Sequence, residues 1–266
     1  MQSRADRPPP AGASRANLAQ FHYDRCQAEN DLGRIEDAVA DCEKALELGR
    51  GTLELRELRR LEQGAALMNG RAGRNKKALE ILLAMFREYD RPGTRGSLVN
   101  TSRLIVEQYI GAGDLSQADV YFRKQQAVLQ DLRKGKNYNG LRRASWEGDF
   151  EQTRGRLYEA RGQFKDAEDP LRKAVVLSRE AIRLRETADD DAVRPPVAQR
   201  ESRTDLLLAR LGLVKARQGR SAEGEADIRR ALLNRLKAAG KYNLQTIQIA
   251  GILADLLISE RRFAEA

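Results

Sequence analysis

The sequence predicts an all-α fold, a solenoid of antiparallel helix pairs. A short motif recurs six times along the 266 residues: a turn residue, usually Gly, is followed five positions later by a small residue, with apolar residues on both sides. Repeats of this size are typical of arrays in which each unit packs only on its neighbours. Charged residues make up 33% of the chain and aromatic residues 5%, which suits helices with one buried and one solvated face. Most prolines fall between the periodic segments, where they do not interrupt a helix.

Each copy is predicted to contain a first helix, a turn and a second helix. The turn positions lie 40 to 57 residues apart and are Gly33, Gly73, Gly113, Gly162, Gly219 and, in the last copy, Arg261. At the small position we expect the two helices to cross too closely for a large side chain. These small residues are Ala38, Ala78, Ala118, Ala167, Gly224 and Ala266.

The chain divides into four predicted parts. Residues 1–17 lack an apolar core and predict a disordered lead. Residues 18–188 hold repeats one to four, 189–197 form an acidic, Pro-containing linker, and 198–266 hold repeat five and a truncated repeat six. Because repeat arrays normally finish with a polar-faced cap, we expect either a fragment of a longer protein or a truncated reading frame. The first helix of the sixth repeat, 244–259, then lacks a complete partner helix. We expect its residues Leu253, Leu256 and Leu257 to be partly exposed.

Position by position, the pattern resembles the tetratricopeptide repeat (TPR). That signature has Leu-Gly and Tyr on the first helix, Gly at the turn, and Ala, an aromatic residue and Ala on the second. Tyr109 and Tyr158 take the Tyr position, Phe122 takes the aromatic position, and Leu211-Gly212 matches the Leu-Gly pair. The resemblance implies a right-handed superhelix with five full repeats and half of a sixth.

A narrower resemblance concerns bacterial proteins with a C-terminal caspase-like (CHAT) protease domain. The segments that carry it include LGLVKARQGR and ERRFAEA. In that family the repeats act as a sensing and partner-binding arm. The resemblance therefore implies an alternative function as the regulatory arm of a larger protease.

The TPR resemblance implies that the first helices line a concave groove that binds a peptide or protein segment. The groove positions carried over from that family are Tyr23, Gln27, Asn30, Arg60, Gln63, Arg71, Asn100, Arg103, Glu107, Gln152, Arg156, Glu159, Arg210 and Arg217, with Gln248 and Asp255 in the last copy. Arginine pairs with carboxylates in a bidentate way, so we expect an acidic partner. The competing interpretation is that these residues are ordinary solvated helix faces.

The formal charge of +9 leaves nucleic-acid binding as a second alternative. It is disfavoured, because the 48 basic residues are interspersed with 39 acidic ones and form no run of five. No stretch is long and apolar enough to predict a membrane span, and no small-molecule site is indicated. We expect a cytoplasmic protein, unless an export signal precedes this sequence.

Catalysis is not expected, because the sequence contains no complete set of nucleophile, base and stabilising group. His22, Cys26 and Cys42 fall on positions that face the space between two helices. They suggest either a zinc site, a Cys–His pair or a packed interior in which Cys acts as a small hydrophobic residue. We favour the packed interior and predict no metal and no cofactor. The two cysteines indicate a reducing compartment without a disulfide.

Overall fold

A computed structural model describes residues 2–186 and 197–266. In these ranges the chain forms helices and turns. The helices are α1 (Gln2–Ala5), α2 (Arg15–Asp31), α3 (Ile35–Gly49), α4 (Leu55–Arg71), α5 (Asn75–Glu88), α6 (Gly96–Gly111), α7 (Leu115–Arg133), α8 (Gly140–Ala160), α9 (Phe164–Glu186), α10 (Val197–Ala216), α11 (Ser221–Ala239) and α12 (Leu244–Ser259).

The helices form the predicted pairs. Each first helix packs against the second helix that follows it, in the order α2/α3, α4/α5, α6/α7, α8/α9 and α10/α11. The chain also divides into two compact units: unit 1 comprises residues 1–91 and 242–244, and unit 2 comprises 92–241 and 245–266. The all-α helical-repeat fold is therefore confirmed, while the handedness of a superhelix stays a prediction.

The turn glycines are needed for their backbone conformation. Gly33, Gly73, Gly113, Gly162 and Gly219 have φ between 72° and 85°, in the left-handed region that glycine enters without a Cβ clash. The N–H that follows each glycine reaches back across the turn to a carbonyl of the first helix, as Arg34 does to Glu29 at 2.9 Å. Each turn thus satisfies a terminal carbonyl and starts the second helix in the antiparallel direction.

Close helix crossing explains the small position five residues after each turn. Ala38, Ala78, Ala118 and Ala167 are fully buried. Gly224 is tighter still: a Cβ built on it would lie 2.4 Å from the carbonyl oxygen of Gly212 on α10. The core of each unit lies between its helices and includes Leu61 and Met68 in unit 1, and Leu171, Leu211, Ile228 and Leu257 in unit 2.

The N-terminal segment differs from its prediction. Residues 1–17 were expected to be disordered, yet Gln2–Ala5 forms α1, and α2 already begins at Arg15. Ser14 caps α2 by accepting a hydrogen bond from the Asn17 N–H at 3.3 Å. Ala5 is buried, and Asp6 pairs with Arg34 at 2.6 Å. These contacts with the first helix pair order a segment whose composition alone does not predict order.

The C-terminal region also differs. Leu253, Leu256 and Leu257, predicted to be partly exposed, are buried in the core of unit 2 with residues of α10 and α11. The prediction was wrong because α12 turns this face toward the preceding helix pair. Residues 260–266 form turns instead of the start of a second helix. The predicted linker 189–197 lies outside the described residues except for Val197, which begins α10.

Candidate binding surface

Side chains from three successive first helices, α6, α8 and α10, meet in unit 2. We call them the unit 2 charge network: Arg103, Glu107, Asp149, Gln152, Arg156, Glu159, Arg203 and Arg210. Its centre is Arg103, which is buried and donates to Asn100 Oδ1 at 2.7 Å and to Glu107 Oε1 at 2.9 Å. Its Nε also lies 3.5 Å from the Asp149 carboxylate. The guanidinium is therefore held by groups of its own helix and of α8.

Hydrogen bonds extend the network from α6 to α10. Gln152 on α8 donates to Glu107 Oε1 at 2.9 Å and accepts from Arg203 Nε at 3.0 Å. Arg203 also pairs with Asp149. Further along the same helices, Glu159 accepts from Arg156 at 2.5 Å and from Arg210 at 3.3 Å. Two sets of charge-assisted hydrogen bonds thus lie along this face: one links α6, α8 and α10, and the other links α8 to α10.

The network has an excess of positive charge, with four arginines against three carboxylates. Burial alone would raise the pKa of Glu107. The guanidinium groups of Arg103, Arg156, Arg203 and Arg210 outweigh that effect and hold the pKa of Glu107 below its usual value. Glu107 is therefore ionised at neutral pH in a region of positive potential.

Part of the network is accessible to a ligand. The side chains of Arg203 and Glu107 are 39% and 29% exposed, and Arg210 is similarly half-buried. Arg103 and Asp149 lie beneath them. The buried members fix the position of the partly exposed arginines through the hydrogen bonds and ion pairs given above.

Seven of the predicted groove residues come together in or beside this network. Asn100, Arg103, Glu107, Gln152, Arg156, Glu159 and Arg210 are brought together as expected for one face of the first helices. Asp149 and Arg203 were missed. Arg203 precedes Arg210 by seven residues, so both lie on one stripe of α10, and this spacing was a usable signal.

Three of the predicted groove residues lie elsewhere. Arg217 follows the end of α10, is exposed, and among the described residues makes no hydrogen bond or ion pair with the network. Gln248 and Asp255 are exposed on α12. Arg217 is thus separated from the face that it was expected to share with Arg103, Arg156 and Arg210, because the helix ends before it.

In unit 1 the predicted groove residues also come together, between α2 and α4. The Arg60 guanidinium lies 4.8 Å from the centre of the Tyr23 ring, a cation–π distance, and Arg60 also donates to Gln20. Arg71 donates to Asn30. The remaining predicted residues of these helices, Gln27 and Gln63, are half-buried. This face contains amides and an aromatic ring where unit 2 has carboxylates.

The prediction that the two cysteines form no disulfide was wrong. Cys26 on α2 and Cys42 on α3 are joined by a disulfide with Cα atoms 5.4 Å apart, and both are fully buried. A disulfide sulfur is neither a thiolate nucleophile nor a thiolate metal ligand, so in this form the zinc and Cys–His hypotheses do not apply. His22 instead contacts Asp41, with Nδ1 and Oδ1 2.9 Å apart, and Arg25 pairs with the same carboxylate.

No protein-family model matches the sequence, and no curated protein matches it. Among solved structures, BtubC (BKLC) from P. vanneervenii is similar, with 17% identity over 85% of this chain and 82% of that one, and a TM-score of 0.46. A Rap protein complexed with competence and sporulation factor is also similar, with 14% identity, a TM-score of 0.48, and coverage of 91% of this chain and 66% of that one. The chain thus spans slightly less than two thirds of the Rap protein. In the part of this chain that the structure describes, no helix has the length and hydropathy of a membrane span.

Proposed function

We propose that this protein binds, without catalysis, a segment of a partner protein on the first-helix face of unit 2. The observation that supports this most directly is the set of four arginines paired with Glu107, Asp149 and Glu159 on one partly exposed face. Burying polar groups on a helical face costs free energy unless they are paired, and this chain pairs them in an ordered row. Such a row provides pre-positioned donors at little entropic cost on binding.

We further propose that the bound segment is acidic. The network carries one net positive charge. Its partly exposed cations include Arg203 and Arg210. A carboxylate placed against them would form charge-assisted hydrogen bonds, and the positive field would speed its approach. The internal carboxylates would also set the register, since they repel an acidic group placed one site away.

The test is binding of a fluorescein-labelled, Glu-rich dodecapeptide, measured by anisotropy, against the same peptide with Gln in place of every Glu. We expect saturable binding of the acidic peptide only. Arg203→Gln combined with Arg210→Gln should weaken it at least tenfold, because each lost charge-assisted contact is worth about 1–3 kcal/mol. Arg230→Gln is the matched control, since Arg230 is exposed on α11, away from the network.

Two results would contradict the proposal. One is equal binding of the acidic and neutral peptides, and the other is equal weakening by Arg230→Gln. Binding of duplex DNA or RNA with a steep salt dependence would favour the nucleic-acid alternative instead. Hydrolytic turnover by the purified chain, lost in Cys26→Ala, would contradict the proposal that it acts by binding alone. The link to CHAT-domain proteins stays a prediction.

A further inference from the structure

The five complete helix pairs bury one first-helix position in the same way. The residue seven positions before each turn is buried, and in three of the pairs it meets the second helix of its own pair. In α10 this residue is Gly212, whose added Cβ would meet the Gly224 carbonyl at 2.5 Å and the Ile228 side chain at 2.8 Å. In α8 it is Gly155, which packs on Leu171, and in α2 it is Cys26, bonded to Cys42. The covering helix thus presents a small residue five positions after the turn and usually an apolar one nine positions after it.

Helix α12 has the corresponding face, and it is open. Ile247, Gly251, Ala254 and Ile258 are spaced by four, three and four residues and so form one stripe. Ile247 and Ile258 are 53% and 50% exposed, and a Cβ added to Gly251 would meet nothing within 4 Å. Ala254 takes the place of Gly212, yet it is only half-buried. The other side of α12 is buried in the core, and no helix in the described ranges 2–186 and 197–266 covers this stripe.

Helix α12 ends in the same way as the first helices of the complete pairs. Arg261 has φ 61°, in the region that the five turn glycines occupy, although arginine enters it at a cost. The Arg262 N–H donates to the Leu257 carbonyl at 2.9 Å, the same connection that Arg34 makes to Glu29. The next residue, Phe263, is 68% exposed. A non-glycine residue in this conformation, with the matching hydrogen bond, reproduces the geometry of the complete pairs.

We infer that the stripe Ile247, Gly251, Ala254 and Ile258 is a docking site for an amphipathic helix of a partner protein. The helix lies antiparallel to α12, with Ala or Gly opposite Ala254 and an apolar residue four positions later. This chemistry follows from the second helices of this chain, which meet the same position in the pairs α2/α3, α8/α9 and α10/α11. Alanine on both sides fits, because Ala66 and Ala78 hold the corresponding positions of the pair α4/α5 and both are buried. This surface is separate from the unit 2 charge network, so either proposal can fail alone.

The test uses the intact chain and a fluorescein-labelled 19-residue peptide with the sequence of Ser221–Ala239. Its Gly224 and Ile228 provide the small and apolar residues of the pattern. We expect saturable binding by anisotropy, and slower amide exchange confined to α12. Ala254→Arg in the chain should weaken binding at least tenfold, because the long side chain fills the crossing point. The double variant Ile247→Gln/Ile258→Gln changes only half-exposed side chains and should weaken it at least fivefold while leaving the melting temperature within a few degrees.

A peptide carrying Gly224→Glu and Ile228→Glu is the matched control and should not bind. Absence of saturable binding by the parent peptide would overturn the inference, as would unchanged binding by the Ala254→Arg chain. Exchange protection outside α12 would overturn it as well, since the peptide would then have replaced α11 in its own pair. If the chain alone is a dimer that Ala254→Arg converts to a monomer, a second copy occupies the face and the helix-docking assignment is wrong.

Discussion

At the scale of single residues, Arg103 and Arg203 differ in burial and therefore in their expected contribution to stability. Arg103 is buried and holds Glu107 and Asp149, whereas Arg203 covers them from the solvent side. Arg103→Leu removes the arginine partner of Glu107 and one of the two arginine partners of buried Asp149. We expect it to lower the free energy of unfolding by about 3–5 kcal/mol, as for other broken buried ion pairs.

Chemical denaturation of Arg103→Leu, Arg203→Gln and the exposed control Arg230→Gln checks this. Arg203→Gln should cost less than Arg103→Leu, because water reaches the site of the lost charge, and Arg230→Gln should cost little. Equal losses for Arg103→Leu and Arg230→Gln would mean that the network contributes nothing to stability.

Glu29 in unit 1 makes the free energy of unfolding depend on pH. Burial, followed by the charge of Asp41, raises the pKa of Glu29 from 4.5 to about 7, although Arg25 opposes the shift. The folded state therefore binds a proton that the unfolded state releases above pH 4.5. Stability is highest below that pH for this group and falls as pH rises toward 7, after which it levels off.

Glu29→Gln removes this term. We expect the loss of stability between pH 5 and 7.5 to shrink by about 1–3 kcal/mol, the range implied by a shift of this size in a coupled pair. Urea denaturation at several pH values measures it. His22 and Asp37 lie near the same carboxylates, so His22→Gln is the control that separates a histidine contribution; an unchanged pH profile for Glu29→Gln would assign the slope to another group.

At the scale of helices, the crossing of α10 and α11 differs from the other pairs, because its small position holds glycine instead of alanine. Alanine is the usual residue at the small position, yet at 224 its Cβ would lie 2.4 Å from the Gly212 carbonyl oxygen. Gly224→Ala should therefore destabilise the protein by about 1–3 kcal/mol, the usual cost of overpacking, despite the better helix propensity of alanine.

Gly111→Ala, near the end of α6, is the matched control. Nothing lies within 4 Å of an added Cβ at Gly111, so thermal unfolding should show little change or a small gain. A stabilising Gly224→Ala would show that α10 and α11 separate without cost.

The disulfide fixes the pair α2/α3. It joins residues 16 apart, and closing a loop of that size in the unfolded chain is worth about 3 kcal/mol. We expect the free energy of unfolding of unit 1 to fall by about this amount when the protein is unfolded and refolded with a phosphine reductant. Cys26→Ala/Cys42→Ala should be insensitive to reductant. An intact mass that matches two free thiols after purification under oxidising conditions would contradict the bond.

At the scale of the whole molecule, features encoded by residues close together in the sequence were predictable, and contacts between distant residues were harder to predict. Turn glycines and small crossing residues such as Gly33 and Ala38 recur at fixed offsets, so the helix pairs were predictable from one sequence. The Cys26–Cys42 bond was not, because bonding depends on the separation of two Cα atoms on different helices. Arg203 was missed for a related reason: its partners Asp149 and Gln152 are about 50 residues away in the chain.

The row of ion pairs across α6, α8 and α10 has a thermodynamic consequence. In a linear repeat array, each repeat is coupled only to its neighbours, and weak coupling lets one end fray while the other stays folded. The contacts of Arg203 with Asp149 and Gln152, and of Gln152 with Glu107, add a coupling term at each of these two boundaries. The third, fourth and fifth repeats should therefore melt in a single cooperative transition, and neutralising Arg203 should split that transition into two.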